Sequence, residues 1–187
     1  MPEQRLRDLS DAEMTPEQIK VAETLRASPR KGLPGPFHAL LRSPELCDRV
    51  RHLGDYIRYE NTLSPALREL VVLVVARFFT AQFEWQAHKK HGLAQGLDPS
   101  IPDAIALGKR PPKLSDEEAL VYDFVHQLFH DKDVDDATYA KAIARYGEKG
   151  TLDMICLAGY YAFVSQILNA KRHPVPEGTT LLGPLPA

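Results

Sequence analysis

Residues 64–96 read SPALRELVVLVVARFFTAQFEWQAHKKHGLAQG, and the fold turns on the LVVLVVARFF run from Leu70 to Phe79. Its β-branched residues suit a buried strand. Its flanks suit a helix. Ser64-Pro65 puts proline at a first helical position, where the missing N–H costs nothing, and the Glu69 carboxylate follows just before the run. No other segment offers a partner strand, and a lone strand cannot satisfy its backbone. The run therefore reads as a helix buried on nearly all sides, and the chain as all-α.

Working outward, helix starts recur. Thr15-Pro16-Glu17-Gln18 and Ser115-Asp116-Glu117-Glu118 are capping boxes. Ser43-Pro44-Glu45 opens a helix with Leu46, Val50, Leu53 and Ile57 along it, and Asp135 or Asp136 can cap a short helix ending near Gly147. A long apolar helix is expected from Thr151 to Ala170. Connections are expected at GLPGP (32–36), from Gly92 to Pro102, and at 108–112. Seven to eight helices in one domain result, with a core over 33–172. Residues 1–32 form a helical extension, and 173–187 an irregular proline-rich tail whose Leu181-Leu182 is expected to dock on a neighbouring subunit.

Bulk properties remove several function classes. With 187 residues, 44% hydrophobic and 26% charged, and a net charge of −2, the chain is ordinary globular material without the basic block that nucleic acid requires. The run from Leu70 to Ala76 is far short of the ~20 residues needed to span a bilayer, and the N-terminus does not read as a secretory signal. Cys47 and Cys156 form neither a disulfide framework nor a metal-binding pattern, and they are expected to be packing residues in a reducing, cytoplasmic setting.

Glu84 and His88, four apart, project from one helix face. Glu69 lies fifteen residues before Glu84, about 22 Å along an unbroken helix at ~1.5 Å per residue. The three meet only if the chain reverses between them, and Phe79-Thr80-Ala81-Gln82 is the natural place, with Thr80 as the cap of the second helix. Two adjacent buried carboxylates would raise a carboxyl pKa, and a histidine one turn away exchanges protons near neutrality. Spacing alone fits equally an intrahelical contact worth about 0.2–0.5 kcal/mol. A faint echo, Glu69 before LVVLVVA and Asp153 before MICLAGY, hints at a duplicated unit.

The pattern Arg68-Glu69, twelve positions to Ala81, three to Glu84-Trp85 and four to His88 is similar to the carboxymuconolactone decarboxylase family within the alkylhydroperoxidase D-like superfamily. Gly92, Ala94-Gln95-Gly96, Ser43-Pro44-Glu45-Leu46 and Ile167-Leu168-Asn169-Ala170 continue the match, which spans roughly Leu33 to Arg172. The resemblance implies a helical subunit in trimers or hexamers, with pockets near subunit contacts. Ala81 and Glu84 stand where the peroxidase branch carries its Cys-x-x-Cys pair, which disfavours thiol chemistry. The decarboxylase branch implies a lyase that uses no metal or organic cofactor on a small carboxylated lactone or unsaturated acid. In that reading His88 is the proton donor, Glu84 orients it and Glu69 tunes the charge or acts as a second acid. Trp85 forms an apolar wall. Arg77 either holds a substrate carboxylate or pairs with Glu69 or Glu84. The chain has an N-terminal helix and a longer second half than typical members with that activity.

Other groupings carry less. His126 and His130 with Asp123 have metal-like spacing on a polar face, and Glu84, His88 and His91 lack a fourth ligand, so no metal is expected. His38 reads as a helix-start residue, Tyr160 and Tyr161 as core or interface aromatics, and Ser165, Gln166 and Asn169 as polar contacts across a packed surface. The alternatives to a lyase are an alkylhydroperoxidase-like reductase, if a cysteine reaches the pocket, and a non-catalytic small-molecule-binding oligomer.

Overall fold

A computed structural model describes residues 3–185, and every regular element in it is helical. The helices are α1 (Pro16–Ala27), α2 (Phe37–Leu40), α3 (Pro44–Asp55), α4 (Pro65–Phe78), α5 (Gln82–Ala94), α6 (Ser100–Ala106), α7 (Asp116–His130) and α8 (Asp136–Lys171). Capping chemistry sets their starts. Thr15 and Ser115 close both halves of their capping boxes, and the Asp135 carboxylate accepts from Thr138 N–H. α8 breaks at Gly147 (φ +66°), so its first turns form the short helix expected there. α6 lies where a connection was expected, and α5 runs on past Gly92.

The ambiguous run is helical, and Leu70 through Arg77 are all buried. α4 is the central rod, packed by α5, α7 and α8. Removing its Leu and Val side chains from water stabilises the fold by about 1.5–3 kcal/mol each. α8 is the one described helix long and apolar enough to cross a membrane, but 56% of its apolar window is buried inside the fold, as in a core helix.

Between α3 and α4 the chain widens into a π-helical turn, Tyr56–Glu60. Between α4 and α5 it reverses at Thr80. The Ala81 N–H bonds the Ala76 carbonyl at 2.8 Å and the Thr80 N–H bonds Arg77 at 3.0 Å, the Schellman pattern that ends a helix. That motif needs a left-handed residue, and Thr80 takes it at φ +49°. Thr80 therefore does not cap α5 as expected: Ala81 holds that position with no side-chain cap. Asn169 on α8 braces the turn, its amide donating to the Phe79 carbonyl at 2.8 Å.

The tail is irregular as expected but docks on its own chain. Gln82 bonds both the N–H and the carbonyl of Leu182, at 2.8 and 2.9 Å, and Gln86 donates to the Thr180 carbonyl. Leu182 is buried there, while Leu181 stays exposed.

Candidate functional site

The reversal lays α5 antiparallel to α4. Gly92 makes room for the turn after α5: a Cβ there would lie 2.8 Å from Leu97 Cδ1, whereas Glu69 Cβ on α4, at 3.5 Å, would be in ordinary contact. Glu69, Glu84 and His88 are brought together, with the imidazole between the two carboxylates. His88 Nδ1 lies 2.5 Å from Glu69 Oε2, and His88 Nε2 lies 3.0 Å from Glu84 Oε2. His88 is 3% exposed and Glu84 4%. The second contact is close but out of line for a hydrogen bond, so Glu84 Oε2 is a buried acceptor without a hydrogen-bond partner.

This order reverses the electrostatics expected for adjacent carboxylates. Burial opposes charge on His88, but its contacts with Glu69 and Glu84 outweigh that and raise it to about 9. Burial would raise Glu69, yet the hydrogen bond from His88 and the charge it carries hold that carboxyl below its ordinary value. At neutral pH the centre holds an imidazolium hydrogen-bonded to the Glu69 carboxylate.

Two hollows meet at this cluster. A cavity of about 120 Å³ is lined by Glu84, His88, Arg30, Arg58, Tyr160 and Tyr161, with Phe83, Ala87 and Val164 as apolar wall. Its roof is the GLPGP loop, where Gly35 (φ +59°) passes close to Glu84 Oε1. A second hollow of about 310 Å³ is lined by Glu69 and Arg68. Arg58, His91 and Tyr161 line both. The Tyr161 ring meets the His88 ring edge-on at 4.8 Å between centres. Burial pushes Tyr160 up to about 12 and Tyr161 higher still, so both hydroxyls are neutral.

Other expected site residues lie elsewhere. Arg77 is eight residues beyond Glu69, about 12 Å further along α4 at ~1.5 Å per residue, and pairs with neither glutamate. It is buried under the tail and donates to the Gly183 and Pro184 carbonyls at 2.9 and 3.2 Å. Trp85 is one residue on from Glu84, about 100° around the helix, and points into the core instead of lining the cavity. Cys47 is buried, and burial raises its thiol to about 11. Cys156 is exposed, not packed, and lines an apolar groove with Leu46, Leu53 and Phe163. Neither cysteine lines the cavity.

For a metal, the group with converging donors is Glu69, His88 and His91, all within 4.8 Å of one another, with Glu69 replacing the Glu84 weighed from spacing. Arg58 lines the same hollow and opposes a cation there. Asp123 is taken by Arg110 at 2.8 Å, leaving His126 and His130 stacked on each other.

Sequence reasoning missed Arg30, Arg58 and the lining role of the two tyrosines. Arg58 has no helical-period signal because the π-turn shifts its register.

No protein-family model and no curated protein matches the sequence. Solved structures do. An uncharacterized peroxidase-related protein from Silicibacter sp. TM1040 is 16% identical, with TM-score 0.73 over 91% of each chain. A second, from Ralstonia eutropha JMP134, described as an alkylhydroperoxidase AhpD core, is 14% identical, with TM-score 0.75 over 95% of this chain and 94% of that one. A protein of unknown function from Agrobacterium tumefaciens is 16% identical, with TM-score 0.65 over 74% of this chain and 95% of the other. With eight α-helices among the described residues, arranged as in these neighbours, the chain has the alkylhydroperoxidase D-like fold.

Proposed function

We propose that this chain is an acid–base enzyme working without an organic cofactor on a small carboxylated lactone or unsaturated acid, of the kind that γ-carboxymuconolactone decarboxylase handles. One observation carries the reading: a buried imidazole shared by two carboxylates beside a cavity lined by arginines and tyrosines.

In a decarboxylation the bond from the ring carbon to the carboxylate breaks and CO₂ leaves. Its electron pair enters the conjugated lactone as a dienolate, and a proton then reaches carbon. Both His88 nitrogens face carboxylates, so the proton reaches the cavity through Glu84, which lines it. Glu69, facing the second hollow, reloads His88. Positioned groups of this kind contribute about 10²–10⁴-fold in rate.

The peroxidase-related names of the structural neighbours favour the alternative of hydroperoxide reduction, but that chemistry by thiols requires a reactive thiolate at the site. Here Cys47 is inert by burial and Cys156 opens on a different groove. The exposed Leu46, Leu53 and Phe163 of that groove support self-association of the chain.

The test is CO₂ release from γ-carboxymuconolactone by wild type, His88→Ala and Glu84→Gln. Turnover by wild type that falls at least a hundredfold in both variants is expected. No turnover by wild type, or equal turnover by all three, removes the decarboxylase reading. Alkylation of the exposed Cys156 should leave the rate unchanged.

A further inference from the structure

The arginines near the cluster differ in what they touch. Arg30 is tied to Asp55, Nη2 to Oδ1 at 2.9 Å. Arg68 donates to the Asn61 and Leu63 carbonyls, and Arg77 to the tail. Arg58 has no carboxylate or carbonyl acceptor among the described residues. Its hydrogen bond runs from Nη1 to the Tyr161 hydroxyl at 3.4 Å, which is long. A half-buried guanidinium ordinarily has an anionic partner.

Its position and its backbone point the same way. Arg58 lines both hollows, so an anion on its fork lies beside Glu84 and His88. It stands mid-way along the π-helical turn Tyr56–Glu60, a rare geometry that is frequent at functional sites. Both flanks of that turn are pinned to α8: Asp153 accepts from the Tyr56 hydroxyl at 2.8 Å and from the Thr62 N–H at 3.0 Å.

We propose that Arg58 anchors the carboxylate of a small planar organic acid in the cavity over Glu84 and His88. This rests on the acid–base reading above and gives the anchoring role to a residue on a different element from Arg77. A guanidinium fork takes both carboxylate oxygens side by side, which an ammonium cannot do. The apolar wall of Phe83, Ala87 and Val164 receives the ring.

The experiment is calorimetric titration of the full chain with furan-2-carboxylate and with its uncharged analogue furan-2-carboxamide. Wild type should bind the carboxylate about tenfold more tightly than the amide or better. Arg58→Gln should lose that preference while amide binding stays unchanged, and Arg58→Lys should keep part of it. In wild type the Arg58 Nε–H resonance should shift with the carboxylate and not with the amide, a readout independent of how the variants fold. Absence of saturable carboxylate binding, equal affinity for the two probes, an unmoved Arg58 resonance, or a preference retained in Arg58→Gln overturns the proposal. Glu84→Gln should still bind the carboxylate, so failure of the anchor and failure of the acid–base reading give different patterns.

Discussion

Two buried carboxylate clusters lie on either side of the π-turn, and they are built to opposite ends. At Asp153 the acid is saturated with donors: the Tyr56 hydroxyl, the Thr62 N–H and hydroxyl, and the Lys149 ammonium, all within 3.0 Å. Burial would raise that carboxyl, yet these donors hold it down at about 2. At His88 two carboxylates flank one imidazole, and the buried Glu84 Oε2 has no hydrogen-bond partner. An acid that accepts from four donors is a clamp: Oδ1 holds Tyr56, and Oδ2 holds Thr62 and Lys149. An acid that shares a proton and keeps a free acceptor can pass that proton on. Burial alone does not separate the two; donor count does.

The largest expected effect tests the clamp. Asp153→Ala leaves the Thr62 N–H and the Tyr56 hydroxyl without their acceptor and frees both flanks of the Arg58 turn. It should cost about 3 kcal/mol of stability, read as a lower urea midpoint at unchanged m-value. A loss within error of zero would mean that Asp153 holds nothing.

The comparison sharpens with pH, because the two clusters fail at opposite ends. His88 is raised from 6.5 to about 9 on folding, so its stabilisation is complete below pH 6.5 and is lost as pH rises through 9. Asp153 is depressed from 3.8 to about 2, so its contribution is complete above pH 3.8 and is lost as pH falls through 2. Urea unfolding across pH should therefore show His88→Gln flattening the alkaline limb and Asp153→Asn the acid limb. Both variants flattening the same limb would break the contrast.

The smallest effect concerns the reversal that assembles the proton-sharing cluster and has no counterpart at the clamp. Thr80 is a β-branched residue at φ +49°, where glycine is usual. Thr80→Gly should stabilise the fold by about 0.5–1 kcal/mol, raising the melting temperature by about 2 °C. A lower melting temperature would show that the threonine side chain matters more than the backbone strain.

These regions also differ in how far the sequence revealed them. Capping boxes and first-turn prolines are local chemistry, so the starts of α1, α4 and α7 were readable. Glu69, Glu84 and His88 were readable together because helical spacing and one forced reversal relate them. Arg58 was not, since a π-turn breaks the period on which such reading depends. Arg77 was misplaced because the length of α4 carries it past the site to carbonyls a hundred residues away in sequence. The order Glu69–His88–Glu84 was also hidden. Sequence puts two acids near one histidine, but only packing puts the ring between them, and that decides whether a carboxyl pKa rises or falls.

Proton sharing at His88 can be measured directly. Imidazole nitrogens of the folded protein, labelled with ¹⁵N and assigned by comparison with His88→Gln, can be followed by NMR from pH 5 to 10. His88 is expected to carry protons on both nitrogens at pH 7 and to titrate near 9. A midpoint at or below 6.5, with a single protonated nitrogen at pH 7, would contradict the shared imidazolium on which the proposed chemistry stands.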